Sequence, residues 1–216
     1  PGHSGGVAFL KSPVGQMFHQ FFGENMLRAD VCNAVDEIGQ LLDHTGPVAQ
    51  SELNAARIFN ADHSYFVTNG TSTSNKIIWH ASVTPGDIVL VDRNCHKSVI
   101  HAITMTGAIP VFLMPTRNNL GIIGPIPLEE FDPENIRKKI AQNPIAQKRK
   151  MEIGGDEALV PKILTITQST YDGILYNVEM IKDHLTGHID TLHFDEAWLP
   201  HAAFHDFYKN MHAIGV

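Results

Sequence analysis

The sequence predicts an α/β fold of three layers, with a mainly parallel sheet covered by helices on both faces. Short β-rich apolar runs alternate with stretches of helical periodicity along most of the chain. Runs such as Ile88–Val91 are apolar throughout instead of alternating, as in strands buried on both faces. Polar clusters follow these runs directly, at the sheet edge where such folds bind ligands.

The elements follow in order. A loop leads to a helix around Pro13–Phe22, then to a polar stretch ending at Asp43-His44-Thr45-Gly46. Pro47 opens a helix through Asn60, with Ala55, Ala56, Ile58 and Phe59 as its apolar positions. Ser64–Thr68 reads as a strand, and a helix runs from about Ser72 to Val83. The turn Thr84-Pro85-Gly86-Asp87 leads into strand Ile88–Val91. A helix near Lys97–Thr106 precedes strand Ile109–Met114. Asp132-Pro133 starts the charged helix Glu134–Gln142, and residues 144–160 read as a polar excursion. Strand Lys162–Thr167, a helix near Val178–Leu185 and strand Thr191–Phe194 complete the pattern.

Composition bounds the function. With 216 residues, 43% hydrophobic and 18% charged, the chain is globular material with room for one large domain or two small ones. Sixteen Lys and Arg against 23 Asp and Glu give a net charge of −7, which argues against a nucleic-acid partner. Thirteen histidines would carry the charge from −7 to +6 if all were protonated, so the surface should respond to mild acid. Cys32 and Cys95 are too few for a disulfide framework, so a reducing, cytoplasmic setting is expected. No apolar run approaches the ~18 residues of a membrane span, and no membrane partner is expected.

Four clusters sit where strands end. Gly70-Thr71-Ser72-Thr73 lies between a strand and a helix start. Its glycine permits a close backbone turn, and unpaired amides, the helix dipole and hydroxyls all favour an anion such as phosphate. An ordinary helix cap is the plainer reading of the same residues. Neither a Walker lysine nor a G-x-G-x-x-G pattern is present. His96, in Asp92-Arg93-Asn94-Cys95-His96, could stack on a planar ligand or move a proton. Ser169-Thr170-Tyr171-Asp172-Gly173 follows a third strand. Asp195 ends Leu192-His193-Phe194-Asp195, and a carboxylate leaving an apolar strand needs a cation or hydrogen-bond donors. A protonated ring nitrogen would serve; so would a helix cap or an ordinary salt bridge.

Two other patterns are weaker. Gly2-His3-Ser4-Gly5-Gly6 fits G-x-S-x-G, and Asp195 with His201 or His205 would complete a hydrolase order, but no strand precedes Ser4. Asp195, Glu196, His201 and His205, or His184 with His188, have metal-like spacing. Pro200 interrupts the first group, and no metal site is expected.

Taken together the clusters are more specific. Pro1-Gly2-His3-Ser4-Gly5-Gly6, Leu41-Leu42-Asp43-His44-Thr45-Gly46-Pro47, Thr68–Lys76, Asp92–Ser98, Ser169–Gly173 and His193-Phe194-Asp195-Glu196-Ala197-Trp198 occur in this order. In these motifs the chain resembles the large, pyridoxal-phosphate-binding domain of the bacterial ornithine/lysine/arginine decarboxylases, of the aspartate-aminotransferase fold group. The resemblance covers essentially the whole chain. It implies a fold type I large domain, truncated, over residues 1–216, with 1–45 as a lead-in.

The resemblance also implies roles. Gly70, Thr71 and Ser72 would hold the cofactor phosphate, and His96 would stack on the pyridine ring. Asp195 would pair with the pyridinium nitrogen and keep it protonated, so that the ring can accept electrons. Ala197 would pack on the ring's other face, and Ser169 and Trp198 would line the site. The implied reaction removes the α-carboxylate of lysine, arginine or ornithine, with a homodimer or larger homo-oligomer as the working unit. Such a reaction consumes a proton, which with the histidine content suggests a link to acid resistance. The family's cofactor-binding lysine lies in a Ser/Thr-x-His-Lys motif beyond the Asp195 strand. The sequence reaches Val216 without it, and Lys209, in Phe207-Tyr208-Lys209-Asn210, does not match. The stretch is therefore expected to be inactive by itself. Aminotransferase-like chemistry on the same fold, or a non-catalytic relative, stand as the alternatives.

Overall fold

The computed structural model describes residues 2–32, 35–155 and 159–214. Pro1 of the opening motif, Val216 and residues 156–158 of the expected excursion lie outside them. The chain divides into two compact units, Pro1–Phe66 and Val67–Val216.

The first unit is helical. Helix α1, Pro13–Phe22, starts where the Ser12 hydroxyl accepts the Gly15 amide at 3.1 Å, with Pro13 in the first turn. A short α2, Glu24–Ala29, falls in the stretch read from the sequence only as polar. Helix α3, Gly46–Phe59, ends at Asn60 in the left-handed conformation, a position asparagine tolerates. Buried Glu52 on α3 accepts the Phe66 amide at 2.8 Å and lies 2.7 Å from His44 Nδ1. The hydrogen bond donated by the Phe66 amide to Glu52 explains why Ser64–Thr68 is not the strand the sequence predicts. The backbone donor is satisfied by a carboxylate instead of a neighbouring strand. Ser4 sits in a turn that leads to a 3-10 segment, Val7–Lys11, with no strand before it among the described residues.

The second unit has the expected three layers. Its strands are β1 (Ile88–Asp92), β2 (Ile109–Leu113), β3 (Ile163–Thr167) and β4 (Thr191–Asp195). They pair in the order β2-β1-β3-β4, all parallel. Alternate residues face opposite helix layers. Ile88, Leu90, Leu164 and Ile166 pack with Ile136 and Ile140 of α6 (Pro133–Gln142), Ala146 of α7 (Pro144–Ile153) and Ile181 and Leu185 of α8 (Val178–Leu185). Val89, Val91 and Ile163 pack with Trp79 of α4 (Thr71–Ser82) and with Val99 and Ala102 of α5 (Lys97–Thr106).

Helix α7 replaces most of the expected excursion. Asn143 caps it by accepting the Ile145 and Ala146 amides, and Pro144 occupies its first turn. These are start signals that its charged, weakly periodic sequence obscures.

Candidate functional site

Parallel pairing brings the carboxyl ends of all four strands to one edge, and the informative residues gather there. A cleft of about 610 Å³ opens at this edge. Every residue to which the resemblance gives a cofactor role lines it: Gly70, Thr71, Ser72, His96, Ser169, Asp195, Ala197 and Trp198; Ser4, Glu196, His201 and His205 do not.

One wall is the start of α4. Gly70 takes φ 76° and ψ 177°, a conformation open essentially to glycine alone, and turns the chain into the helix. No side chain caps α4; the Thr73 amide bonds the Gly70 carbonyl at 2.9 Å, and the Thr71 and Ser72 amides before it have no intrahelical acceptor. Thr71 and Ser72 add hydroxyls there. The dipole and the donors together suit a phosphate group.

The opposite end of the site is carboxylate. Asp195 is 6% exposed at the end of β4. Asn75 Nδ2 donates to its Oδ2 at 2.8 Å, and the Ala197 amide donates to Oδ1 at 3.3 Å. Among the described residues Asp195 has no cationic partner. A buried carboxylate with neutral donors only leaves room for an external cation, and a protonated pyridine nitrogen meets that need. The cleft therefore fits pyridoxal phosphate by charge at both ends.

His96 caps α5. Its Nδ1 accepts the Ser98 amide at 3.2 Å and lies 2.8 Å from Ser98 Oγ. Asn75 Nδ2 also donates to Ser98 Oγ at 2.9 Å. Asp195 and His96 are thus joined through Asn75 and Ser98, two residues to which the sequence alone assigns no role. The available signal is an asparagine inside a helix, a poor helix former that is 1% exposed in the fold.

Trp198 and Tyr171 meet edge to face at 5.2 Å on the cleft rim. Buried Gln168 shapes the loop below them. Its Nε2 donates to the Tyr176 carbonyl at 2.8 Å and also to the Met211 carbonyl, while its Oε1 accepts the Tyr176 amide at 2.9 Å. The Gln168–Ser169 peptide is cis.

Burial governs titration around the site. The Cys95 thiol is pushed up to about 12 by burial, reinforced by the Asp92 carboxylate. Burial also raises Asp92, whose Oδ1 accepts the Asn94 amide at 2.7 Å. Thr167 lies close enough to temper that shift, although neither its hydroxyl nor Asp92 Oδ2 has a partner at hydrogen-bond geometry among the described residues. His193, two residues before Asp195, is lowered to about 4 by burial, against the pull of Asp195.

The family described as "Orn/Lys/Arg decarboxylase, major domain" matches residues 1–216. Lysine decarboxylase LdcA of Pseudomonas aeruginosa is 58% identical over 215 residues, covering 100% of this chain and 28% of that protein. The constitutive lysine decarboxylase of Escherichia coli K12 is 49% identical over 209 residues, covering 97% of this chain and 27% of that protein. The solved structure of lysine decarboxylase A from Pseudomonas aeruginosa superposes with a TM-score of 0.81 at 55% identity, over 100% of this chain and 28% of that one. The chain spans little more than a quarter of the length of these relatives.

Proposed function

From the premise that the chain belongs to the ornithine/lysine/arginine decarboxylase family, as its major domain, we propose that it forms the cofactor-binding part of a pyridoxal-phosphate-dependent decarboxylase of a basic amino acid. In this reading residues 1–216 act as one cofactor-binding domain, with 1–45 as its lead-in. The observation that carries the proposal is Asp195, a buried carboxylate held by neutral donors on the cleft whose other wall is an uncapped helix start.

Each residue has a physical task. Thr71, Ser72 and the amides after Gly70 bind the phosphate. Asp195, itself buried, holds a proton on the ring nitrogen by ion pairing. His96 and Ala197 flank the ring plane, and Trp198 and Tyr171 shield the rim from water. Pyridoxal phosphate, when bound, supplies an electron sink for the bond between Cα and the substrate carboxylate. In the net reaction that bond breaks, carbon dioxide leaves, and a proton takes its place on the amine product.

The two relatives described above act on lysine, so lysine is the first substrate to assay, with arginine and ornithine beside it. The full-length protein, supplied with pyridoxal phosphate, is expected to release carbon dioxide and the matching diamine or agmatine from one of the three. Failure with all three would defeat the proposal. Homo-oligomerisation and a cytoplasmic setting belong to the same reading.

A further inference from the structure

We propose that Asn75 and Ser98 are positioning residues: they orient Asp195 and hold His96 as a neutral ring protonated on Nε2. The assignment follows from which atoms can only donate. The Ser98 amide is a donor in every state, and it points at His96 Nδ1 from 3.2 Å. Nδ1 is therefore an acceptor and carries no proton, which puts the ring proton on Nε2.

The rest of the chain of bonds agrees. Ionised Asp195 can only accept, so the Asn75 group 2.8 Å from it is the amide nitrogen. That nitrogen has two hydrogens, and the second goes to Ser98 Oγ at 2.9 Å. With its oxygen accepting from Asn75, Ser98 turns its own hydrogen towards His96 Nδ1, 2.8 Å away. The direction of donation is fixed from end to end, with the single Nδ1 lone pair shared between the hydroxyl and the amide of Ser98. An imidazolium at His96 would place an N–H against both the amide and the hydroxyl of Ser98.

The consequence rests on the cofactor reading above. A ring stacked on a pyridinium is best neutral, because a second cation would oppose the charge that Asp195 stabilises. The network would thus link the residue at the ring nitrogen to the residue on the ring face. The proton positions themselves do not depend on the cofactor.

Neutron crystallography of the full-length protein exchanged into heavy water tests the proton assignment with or without cofactor. Deuterium is expected on His96 Nε2, on Ser98 Oγ pointing to Nδ1, and on the Asn75 atom facing Asp195. Deuterium on His96 Nδ1, or Asn75 with its oxygen towards Asp195, overturns the proposal. Ser98→Ala, which keeps the backbone donor but removes the hydroxyl, is expected to weaken pyridoxal phosphate binding by about 2- to 10-fold and to move its absorption band. Ser98→Thr, which retains the hydroxyl, should restore both. A Ser98→Ala protein with wild-type affinity and spectrum would overturn the link between network and cofactor. A wild-type protein that never binds the cofactor would instead defeat the functional reading, with the proton map still deciding the network.

Discussion

Trp79 Nε1 donates to Thr165 Oγ1 at 3.1 Å, joining α4 to the centre of the sheet one helical turn beyond the Asn75–Asp195 contact. Trp79 is fully buried, and Asn75 and Trp79 lie four residues apart, on one face of the helix. The anchor that packs the core therefore also sets the position of the residue that holds Asp195. Trp79→Ala is expected to cost about 3–5 kcal/mol. Trp79→Phe keeps most of the volume but strips Thr165 of its donor, at about 1–3 kcal/mol. Denaturant midpoints of the two variants check the order; equal losses would contradict it.

Thr165 also lies 3.1 Å from His193 Nδ1, its register partner across β3 and β4. Burial lowers His193 from 6.5 to about 4, so the unfolded chain binds its proton first as the pH falls. Its contribution is fully present above about pH 6.5 and is lost as the pH falls towards 4, a difference of about 3 kcal/mol. Asp92 and Glu196, both raised by burial, work in the opposite direction, losing stability as the pH rises through the carboxylate range. Stability measured from pH 7 to pH 4 is expected to fall, and His193→Gln should flatten that fall. An unchanged slope in the variant would refute the assignment.

Gly70 offers a test free of packing effects. A Cβ there would meet nothing within 4 Å, so space is no obstacle to Gly70→Ala. The obstacle is the backbone, at φ 76° and ψ 177°, where a side chain costs on the order of 1–3 kcal/mol. The variant is expected to lower both thermal stability and affinity for pyridoxal phosphate, because relaxing the strain turns the α4 amides away from the phosphate. A calorimetric melt and a cofactor titration measure the two losses. Wild-type values in both would show that the turn is not needed.

The cysteines should differ in reactivity. Cys32 is exposed, whereas burial and Asp92 push the Cys95 thiol up to about 12, leaving almost no thiolate near neutrality. Iodoacetamide at pH 8, read by peptide mass spectrometry, is expected to label Cys32 and spare Cys95 until the protein is denatured. Equal labelling in the native protein would contradict the burial of the Cys95 side of the cleft.

Much of this was legible in the residues themselves. The all-apolar run at Ile88–Val91 announces a strand covered on both faces, and the polar clusters behind the strand-like runs announce the ligand edge. Other features depend on partners distant in sequence. Ser64–Thr68 has the composition of a strand, yet Glu52, far along the chain, takes the Phe66 amide. Helix α7 buries Ala146 as its one fully enclosed position, so it leaves no apolar stripe to detect. Asn75 and Ser98 stand inside recognisable motifs, but what they do depends on bonds spanning 120 and 23 residues, which no local pattern encodes.

The central claim is that the cleft at the carboxyl edge of the sheet holds pyridoxal phosphate, with its phosphate on α4 and its ring nitrogen at Asp195. A crystal structure of the full-length protein with the cofactor added tests it most directly. The expected density places the phosphate within hydrogen-bond reach of Thr71 and Ser72, and the ring nitrogen beside Asp195. Cofactor bound elsewhere, or in the cleft with its phosphate away from the α4 start, would contradict the account.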